Sequence, residues 1–573
     1  MHKFAPSGRL ARPRLGVVTT LLLSLLVASC GTAAASGLQT TTTSSATTTT
    51  LAPQQRKLVF AAPYLPTNFN PNTPAGDQSV TRQIMVNVWP SVFYENSKYQ
   101  TVLNSVLMNS AELVSTNPEE VVYQINPKAV WSDGVQISAT DFIYNWQAQS
   151  GNPKIVDQGG ARYLSNTTVG YSDIKSVKAS HGGKTVTVVF KKYFSEWESL
   201  FDPLVPAHIA EQVGWNAGFD QASPAVEISG GPYVISAVSP GKQIELTRNP
   251  HFWGKPATIP KLVFLDDPNP DNYPSQFQNG SLNLVYSPAS DLLYSNLSKL
   301  THVTTRLVPS LSIEELLFNL STGPLSDPKV RKAIALGIDR EAIVSAAIGS
   351  YDPNAVPAGN NIYPPGIPQY QNDGSGYLTA VPSAAVSMLQ SAGYVRSSDG
   401  IMTKDGQPLV LNISVDDANQ QLLYVEELIT EELSNIGIVV NPVNYPLNTL
   451  ESSVLRGGKF DMAIVSEYGS PNATLHVARY QFAGSGSSAN YMGYVSKQAD
   501  SLIESASTEL DPASSAKVYN RLDQLLWKDL PSIPLYSVPS VMAFNTGYNF
   551  VGNSTSSSTI FWNSSTWTYL SPR

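Results

Sequence analysis

The sequence predicts a mixed α/β fold, and two patterns along the chain predict it. The first half holds short runs typical of strands, beginning with the apolar segment Leu58-Val59-Phe60-Ala61-Ala62. The second half alternates amphipathic helices with short strands, which is typical of an α/β domain. The part expected to fold begins near Lys57 and runs to Arg573, about 515 residues, which is long enough for two to four domains.

Residues 1–29 have the pattern of a bacterial signal peptide. The apolar run 16–27 is too short to span a bilayer, which takes roughly twenty residues. It ends in Leu26-Val27-Ala28-Ser29-Cys30, which resembles a lipobox, and Cys30 is the only cysteine of the sequence. We therefore expect lipidation of Cys30, cleavage before it, and anchoring at the outer face of the bacterial cytoplasmic membrane. The basic residues that precede the run are Lys3, Arg9, Arg12 and Arg14.

The segment 30–56 is predicted to be a lipid-bearing tether. After Cys30 come small residues, and an almost unbroken run of threonine and serine ends at Thr50. Such a segment has little apolar surface to bury, so it cannot offset the entropy lost on ordering.

Strand signals in the first half suggest a hairpin and a half-buried strand. Asn117-Pro118 separates two β-prone runs, 114–116 and 121–125, which predicts the hairpin. Valines and threonines alternate in 184–190 after two glycines, which predicts a strand with one buried face.

Capping residues mark the helix starts. Ser138 and Asp141 form a capping-box sequence. Asp327 followed by Pro328 is an N-cap with proline at the first helical position, and Asp339 caps the next helix. Apolar stripes at helical spacing mark two further helices: Leu422, Val425, Ile429, Leu433 and Ile436 in one, and Val518, Leu522 and Leu526 in the other. Strands are expected at 438–440, 460–465 and 533–536.

Composition and charge exclude some classes of partner. Charged residues are only 14% of the chain and the formal net charge is −8, which argues against nucleic-acid binding and against a polybasic membrane contact. The 27 tyrosines and 9 tryptophans offer flat apolar faces that suit polar organic ligands such as peptides or glycans.

Motifs for catalysis and metal binding are missing or incomplete. No two of the six histidines have metal-ligand spacing. Ser326-Asp327-Pro328-Lys329 satisfies S-x-x-K, but its SDN and KTG partners are absent, and helix capping explains it. Trp131-Ser132-Asp133-Gly134 fits a tight turn with a packed indole. We expect no catalytic residue, no metal and no cofactor.

Five short segments, spread over most of the chain, together carry a resemblance to a known family. They are Trp131-Ser132-Asp133-Gly134 with Thr140-Asp141-Phe142, Gly230-Gly231-Pro232-Tyr233 with 246–254, Phe318-Asn319 with 327–343, Phe460-Asp461, and Ile533-Pro534-Leu535-Tyr536. Together they resemble landmarks of family 5 of the bacterial solute-binding proteins, the peptide-type receptors of ABC importers.

This resemblance implies a two-lobed fold of the periplasmic-binding-protein type (type II, peptide-binding class). Lobe 1 is expected at 57–305 with an extra subdomain at about 94–219, lobe 2 at 306–533, and a return to lobe 1 at 534–573. The lobes would close on a solute and present it to ABC permease subunits in the membrane. We expect a monomer.

The resemblance also implies a ligand contact in the stretch that follows Phe460-Asp461. In peptide-binding members of the family, this stretch carries a tryptophan and an aspartate, and the aspartate pairs with the amino terminus of the peptide. This sequence reads Ser466-Glu467-Tyr468-Gly469-Ser470-Pro471-Asn472, in which Glu467 is the carboxylate. The predicted ligand contacts are Tyr64, Asn68, Phe318, Asn319, Glu467, Tyr468 and Asn472.

Two functions remain open. The segments 122–131 and 141–146 look closest to an actinobacterial branch of the family. That branch includes a mycobacterial lipoprotein associated with assembly of phosphatidylinositol mannosides and lipoarabinomannan. The chain is therefore predicted to bind a peptide-like or other polar solute for import, or alternatively to act in envelope glycolipid assembly.

Overall fold

The computed structural model describes residues 57–321, 323–481, 490–550 and 559–570. The predicted signal peptide, Cys30 and the tether lie outside the described residues. The strands are β1 (Leu58–Ala62), β2 (Phe93–Glu95), β3 (Thr101–Leu103), β4 (Met108–Thr116), β5 (Glu119–Ile125), β6 (Ile174–Ser180), β7 (Thr185–Phe190), β8 (Tyr233–Ser239), β9 (Gln243–Arg248), β10 (Lys261–Asp266), β11 (Leu284–Pro288), β12 (Val303–Val308), β13 (Ser312–Phe318), β14 (Val395–Arg396), β15 (Met402–Lys404), β16 (Gln407–Pro408), β17 (Val410–Ser414), β18 (Val439–Pro442), β19 (Met462–Tyr468), β20 (Ser532–Ser537), β21 (Ser540–Asn545), β22 (Tyr548–Asn549) and β23 (Thr568–Tyr569). The helices are α1 (Ser79–Met85), α2 (Ala139–Gln149), α3 (Ala207–Val213), α4 (Tyr273–Gln278), α5 (Asp291–Ser298), α6 (Pro328–Gly337), α7 (Arg340–Ile348), α8 (Pro382–Ser391), α9 (Gln420–Asn435), α10 (Leu447–Thr449), α11 (Ala473–His476), α12 (Lys497–Ser507) and α13 (Pro512–Asp529).

A seven-stranded sheet in the order β12-β21-β11-β1-β10-β9-β8 is built around the predicted opening strand. The strand β1 pairs in parallel with β10 and β11. All five of its residues are buried, as expected for a strand that is covered on both faces. The continuous apolar run 58–62 reflects this burial.

A four-stranded antiparallel sheet, β4-β5-β7-β6, packs against α2. The predicted hairpin is confirmed, since β4 and β5 pair on either side of Asn117-Pro118. The predicted capping box is confirmed too, because the Ser138 and Asp141 side chains each bond to the other's backbone N–H. Trp131 is 0% exposed above a turn in which the Gly134 N–H donates to the Trp131 carbonyl, 2.9 Å away.

A five-stranded sheet, β18-β17-β19-β13-β20, forms the rest of the large framework. Successive residues of a strand point to opposite faces. Leu316 of β13 therefore joins one core with Ile334 and Ile429, whereas Leu317 joins another with Leu522. Helices thus cover both faces of this sheet.

The helix signals of the second half are confirmed. Asp327 accepts the N–H of Lys329 (2.9 Å) and Asp339 that of Ala342 (2.8 Å), each at the start of its helix. The stripe of α9 is buried. The strand predicted at 460–465 instead runs from Met462 to Tyr468, because it continues to pair with β13 as far as Ser312.

The chain passes between the seven-stranded and the five-stranded sheet twice. The first passage is 309–311, between β12 and β13, and the second is 538–539, between β20 and β21. We call the part built on the seven- and four-stranded sheets the first lobe and the part built on the five-stranded sheet the second lobe. The sequence-based domain boundaries remain predictions.

Candidate ligand-binding site

The two passages between the lobes lie side by side. The Ser310 hydroxyl donates to the Val538 carbonyl at 2.6 Å, and the Ser537 hydroxyl donates to the Ser312 carbonyl at 3.0 Å. Two short, adjacent connections are the usual geometry of a hinge between domains. Side chains at the nearby ends of β13 and β19 are therefore placed where the lobes approach each other.

A cluster of three charged side chains occupies one face of these two strands. Antiparallel pairing puts Ile313 opposite Glu467 and Glu315 opposite Val465, so both carboxylates lie on the same face. The Arg479 guanidinium bonds to Glu315 through Nη2 and lies 3.2 Å from the Glu467 carboxylate through Nη1.

Burial within this cluster is uneven. The side chains of Arg479 and Glu315 are 8% and 2% exposed, whereas that of Glu467 is 30% exposed. Buried charges are tolerated only when they are paired. Burial raises the pKa of the Glu467 carboxyl, and Arg479 opposes this. Burial alone would lower the pKa of Arg479, but the charges of Glu315, Tyr480 and Glu467 together outweigh burial and the pKa is raised.

Tyr480 completes the cluster. The Arg479 Nη2 donates to its hydroxyl at 2.6 Å, and the guanidinium carbon lies 4.8 Å from the centre of its ring. One guanidinium thus serves two carboxylates, and the less buried of these, Glu467, carries the surplus negative charge. That carboxylate is suited chemically to bind a cationic group such as an amine.

The opposite face of the same strands holds another buried carboxylate, Glu314. The Ser466 hydroxyl lies 2.8 and 2.9 Å from its two oxygens. Burial raises the pKa of Glu314 to about 7, and the hydrogen bonding to Ser466 opposes this. With 5% exposure, Glu314 belongs to the interior of the second lobe.

The predicted residues Tyr64 and Asn68 lie in the first lobe after β1. Tyr64 is 38% exposed, and its hydroxyl is 3.0 Å from that of Ser79. Asn68 is 6% exposed; its amide donates to the Asn216 carbonyl at 3.2 Å and its side-chain oxygen accepts the Asn70 N–H at 2.8 Å. Tyr64 is thus accessible, whereas Asn68 holds the chain in a turn.

Phe318 is the last residue of β13 in the second lobe, and Asn319 follows it. Phe318 is 0% exposed within the apolar core. The Asn319 amide donates to the carbonyls of Gly458 and Phe460 at 3.1 and 2.9 Å. In this conformation Phe318 packs in the core, and Asn319 ties the end of β13 to the 458–460 backbone through hydrogen bonds.

Glu467, Tyr468 and Asn472 lie on one stretch of the second lobe. Glu467 and Tyr468 are on β19 itself, and Asn472 precedes α11. The Tyr468 side chain lies outside the described part of the structure. Of the predicted residues, Tyr64, Glu467 and Asn472 are thus at least partly accessible.

Sequence reasoning missed Arg479 and Glu315. Arg479 belongs to no motif, and it meets Glu315 across 164 positions of sequence. Two adjacent glutamates within the otherwise apolar segment 313–318 were the available signal. Consecutive strand residues point to opposite faces of a sheet, so in a sheet covered on both faces each of these carboxylates is buried and needs a partner.

The S-x-x-K residues do not meet as a nucleophile and base. The Ser326 hydroxyl donates to the Gly323 carbonyl, whereas the Lys329 ammonium donates to the Ser391 carbonyl, both at 2.7 Å. No cluster of three or more His, Cys, Asp or Glu able to hold a metal ion occurs within the described ranges. Among those same residues no helix combines the length and apolar character needed to cross a membrane.

A family model described as "Bacterial extracellular solute-binding proteins, family 5 Middle" matches residues 103–489. The chain belongs to this family. The family-5 assignment agrees with the order of the sequence landmarks and with the two-lobed α/β fold.

Curated relatives of this family-5 chain include two mycobacterial proteins. "Oligopeptide-binding protein OppA" of Mycobacterium tuberculosis is 29% identical over 490 residues, covering 83% of this chain and 79% of that protein. "Probable monoacyl phosphatidylinositol tetramannoside-binding protein LpqW" of the same species is 26% identical over 458 residues, covering 74% and 70%.

Among solved structures, the periplasmic EDTA-binding protein EppA superposes with a TM-score of 0.81 at 24% identity, covering 90% of this chain and 97% of that one. This likeness establishes the type II periplasmic-binding fold. The curated relatives and this structural neighbour carry the names of binding proteins and not of enzymes.

Proposed function

We propose that this chain is an extracytoplasmic solute-binding lipoprotein of an ABC import system. It binds a peptide-like or other polar solute between the first lobe and the second lobe. It then presents the solute to permease subunits. Lipid on Cys30 holds it at the outer face of the cytoplasmic membrane, where it acts as a monomer and without catalysis.

The partly exposed Glu467 carboxylate is the observation that supports this proposal most directly. It lies at the end of β19 nearest the hinge, and its cluster holds two carboxylates against one guanidinium. An amino terminus placed beside Glu467 would balance that charge. Tyr64 and Asn472, from opposite lobes, are proposed to add an aromatic face and an amide.

A paired-ligand experiment tests this role. The purified mature protein is titrated with a library of tripeptides to nonapeptides bearing free amino termini, and with the same library N-acetylated. Thermal unfolding should show stabilisation by the free-amine library, about 2.7 kcal/mol at a hundredfold excess of a ligand over its Kd. Because a charge-assisted hydrogen bond contributes about 1.5–3 kcal/mol, Glu467→Gln should weaken this binding by roughly tenfold to a hundredfold.

Glu451→Gln is the matched control. Glu451 is exposed and its charge also acts on Glu467, but it lies outside the three-residue cluster. Free-amine binding should survive in this variant. Equal binding of the acetylated library, or no loss in Glu467→Gln, would contradict recognition of an amine by Glu467.

The alternative function is a role in envelope glycolipid assembly. It is supported by the 26% identity to the protein named as a tetramannoside-binding LpqW. Purified protein that binds monoacyl phosphatidylinositol tetramannoside and none of the peptides would favour this alternative. A deletion strain that imports peptides normally but has altered lipoglycans would favour it too.

A further inference from the structure

A loop of the first lobe bonds to the end of a helix of the second lobe. The Ser195 N–H donates to the Ser507 carbonyl at 3.0 Å, and the Ser195 hydroxyl donates to the Ala506 carbonyl at 3.3 Å. Both carbonyls belong to the last turn of α12, where helix carbonyls lack partners within their own helix. The first lobe thus supplies two donors to the second.

The next residue makes a bond of the opposite polarity. The Glu196 carboxylate accepts the N–H of Thr474 through Oε1 at 3.0 Å. Its other oxygen, Oε2, is buried and has no hydrogen-bond partner within the part of the chain that the structure describes. The Glu196 side chain of the first lobe therefore inserts into the second lobe with only one of its two carboxylate oxygens hydrogen-bonded.

The loop that carries these residues is fixed by the first lobe itself. The Glu119 carboxylate of β5 accepts the N–H of Phe194 at 2.8 Å. The Phe194 ring is 3% exposed and packs so closely on Gly170 that a Cβ there would lie 2.4 Å from a ring carbon. Because these contacts are internal to the first lobe, separating the lobes need not disturb them.

The acceptor site in the second lobe adjoins the candidate ligand stretch. Thr474 follows Asn472 by two residues, and its hydroxyl is 2.8 Å from that of Tyr519 on α13. Glu467 begins the same stretch. Anchoring the Thr474 backbone therefore restrains the segment that holds two of the proposed ligand contacts.

We propose that Glu196 is a positioning residue for ligand binding, which crosses from the first lobe on closure and fixes the 467–474 segment through the backbone of Thr474. The positioning role rests on the proposed function, whereas the cross-lobe bond rests on the two-lobed fold alone. Lobe closure and the geometry of the site are thereby coupled through one carboxylate.

The coupling makes closure sensitive to pH. Burial raises the pKa of Glu196 from 4.5 to about 7, and the hydrogen bond from the Thr474 N–H opposes this. Glu196 acts electrostatically on the phenols of Tyr363 and Tyr519. The other titratable side chains on the loop and on the elements packed against it are Glu198, His476 on α11, Lys497, Asp500 and Glu504 on α12, and Lys517, Arg521, Asp523, Lys528 and Asp529 on α13. Separating the lobes would return Glu196 to water and to an ordinary pKa.

The sign follows from proton linkage. Since the closed form holds the Glu196 proton more tightly, closure is favoured at low pH, and the advantage is lost as the pH rises from about 4.5 towards 7. With those two pKa values, the closure constant falls by up to about 70-fold between pH 5 and pH 8. Glu119 lies within the first lobe, so its titration is expected to be common to both forms.

The test measures closure without any ligand. In a Cys30→Ser background, spin labels at Lys178→Cys and Glu427→Cys, exposed sites on the first and second lobes, report the inter-lobe distance by electron–electron resonance from pH 5 to pH 8. The population with the shorter distance should fall as the pH rises. Glu196→Gln, which keeps an acceptor without a charge, should make that population constant.

Two controls separate titration from a general loss of contact. Ser195→Ala removes one neutral cross-lobe bond and should lower the closure constant by the same factor at every pH. Glu198→Gln neutralises a carboxyl of the same loop whose charge acts on Tyr123 of the first lobe, and it should keep the wild-type slope. Far-ultraviolet circular dichroism verifies that each variant is folded.

The outcomes are decisive. The proposal is overturned if the short-distance population of the wild type stays constant or rises with pH, or if Glu196→Gln retains the pH dependence of the wild type. It is supported if only Glu196→Gln abolishes that pH dependence. If that result appears and no solute binds, the proposed function fails while the cross-lobe device stands.

Discussion

Replacing Arg479 should destabilise the second lobe strongly. In Arg479→Met a side chain of similar length fills the space, but Glu315, at 2% side-chain exposure, loses its cation and the hydrogen bond from Nη2. Removing one partner of a buried ion pair costs about 3–5 kcal/mol, because the other charge stays desolvated without compensation. Glu467, at 30% exposure, can still reach water and should add little to the loss.

Urea unfolding followed by tryptophan fluorescence measures this loss at pH 7. The double variant Arg479→Met/Glu315→Gln should recover most of the lost free energy of unfolding, since no uncompensated charge then remains buried. Arg479→Lys tests the bidentate geometry, because one ammonium cannot reproduce the planar guanidinium that spans both carboxylates. A loss below about 1 kcal/mol in Arg479→Met would refute the reasoning, as would a double variant no more stable than the single one.

Two further predictions concern the framework around the site. Burial raises the pKa of Glu314 to about 7, so the folded form binds that proton more tightly and the free energy of unfolding falls as the pH rises from 4.5 towards 7. In urea unfolding, the stability of Glu314→Gln should match that of the wild type at pH 5 and exceed it by up to about 3 kcal/mol at pH 8. The opposite ordering would show that the sign is wrong. A Cβ at Gly231 would lie 2.3 Å from the backbone oxygen of Asn87, so Gly231→Ala should lower the free energy of unfolding by about 1–3 kcal/mol, whereas the control Gly376→Ala, where a Cβ meets nothing within 4 Å, should change it little.

Recognition of a solute by this chain is expected to depend on groups from both sides of the hinge. Glu467 and Asn472 belong to the second lobe, and Tyr64 belongs to the first. Such a site is complete only when the lobes approach, so affinity includes the free energy of closure. Glu196 adds to that free energy without being proposed to touch the solute.

The sequence by itself determined the elements whose signals are local. The N-caps Asp327 and Asp339, the capping box at Ser138, and the stripe of α9 each depend on residues within a few positions of one another. The family landmarks were equally readable, since each is a short continuous segment. Interactions between residues close in sequence are enough to specify such features.

Only the tertiary structure decided which charges meet. Glu315 and Arg479 are 164 positions apart, and Glu196 and Thr474 are 278 apart. Their contacts follow from strand order and from the approach of the lobes, which no local pattern encodes. The extension of β19 to Tyr468 has the same origin, because pairing with β13 supplies backbone hydrogen bonds that the sequence of β19 does not reveal. Long-range pairing, and not local propensity, therefore places Glu467 beside the hinge.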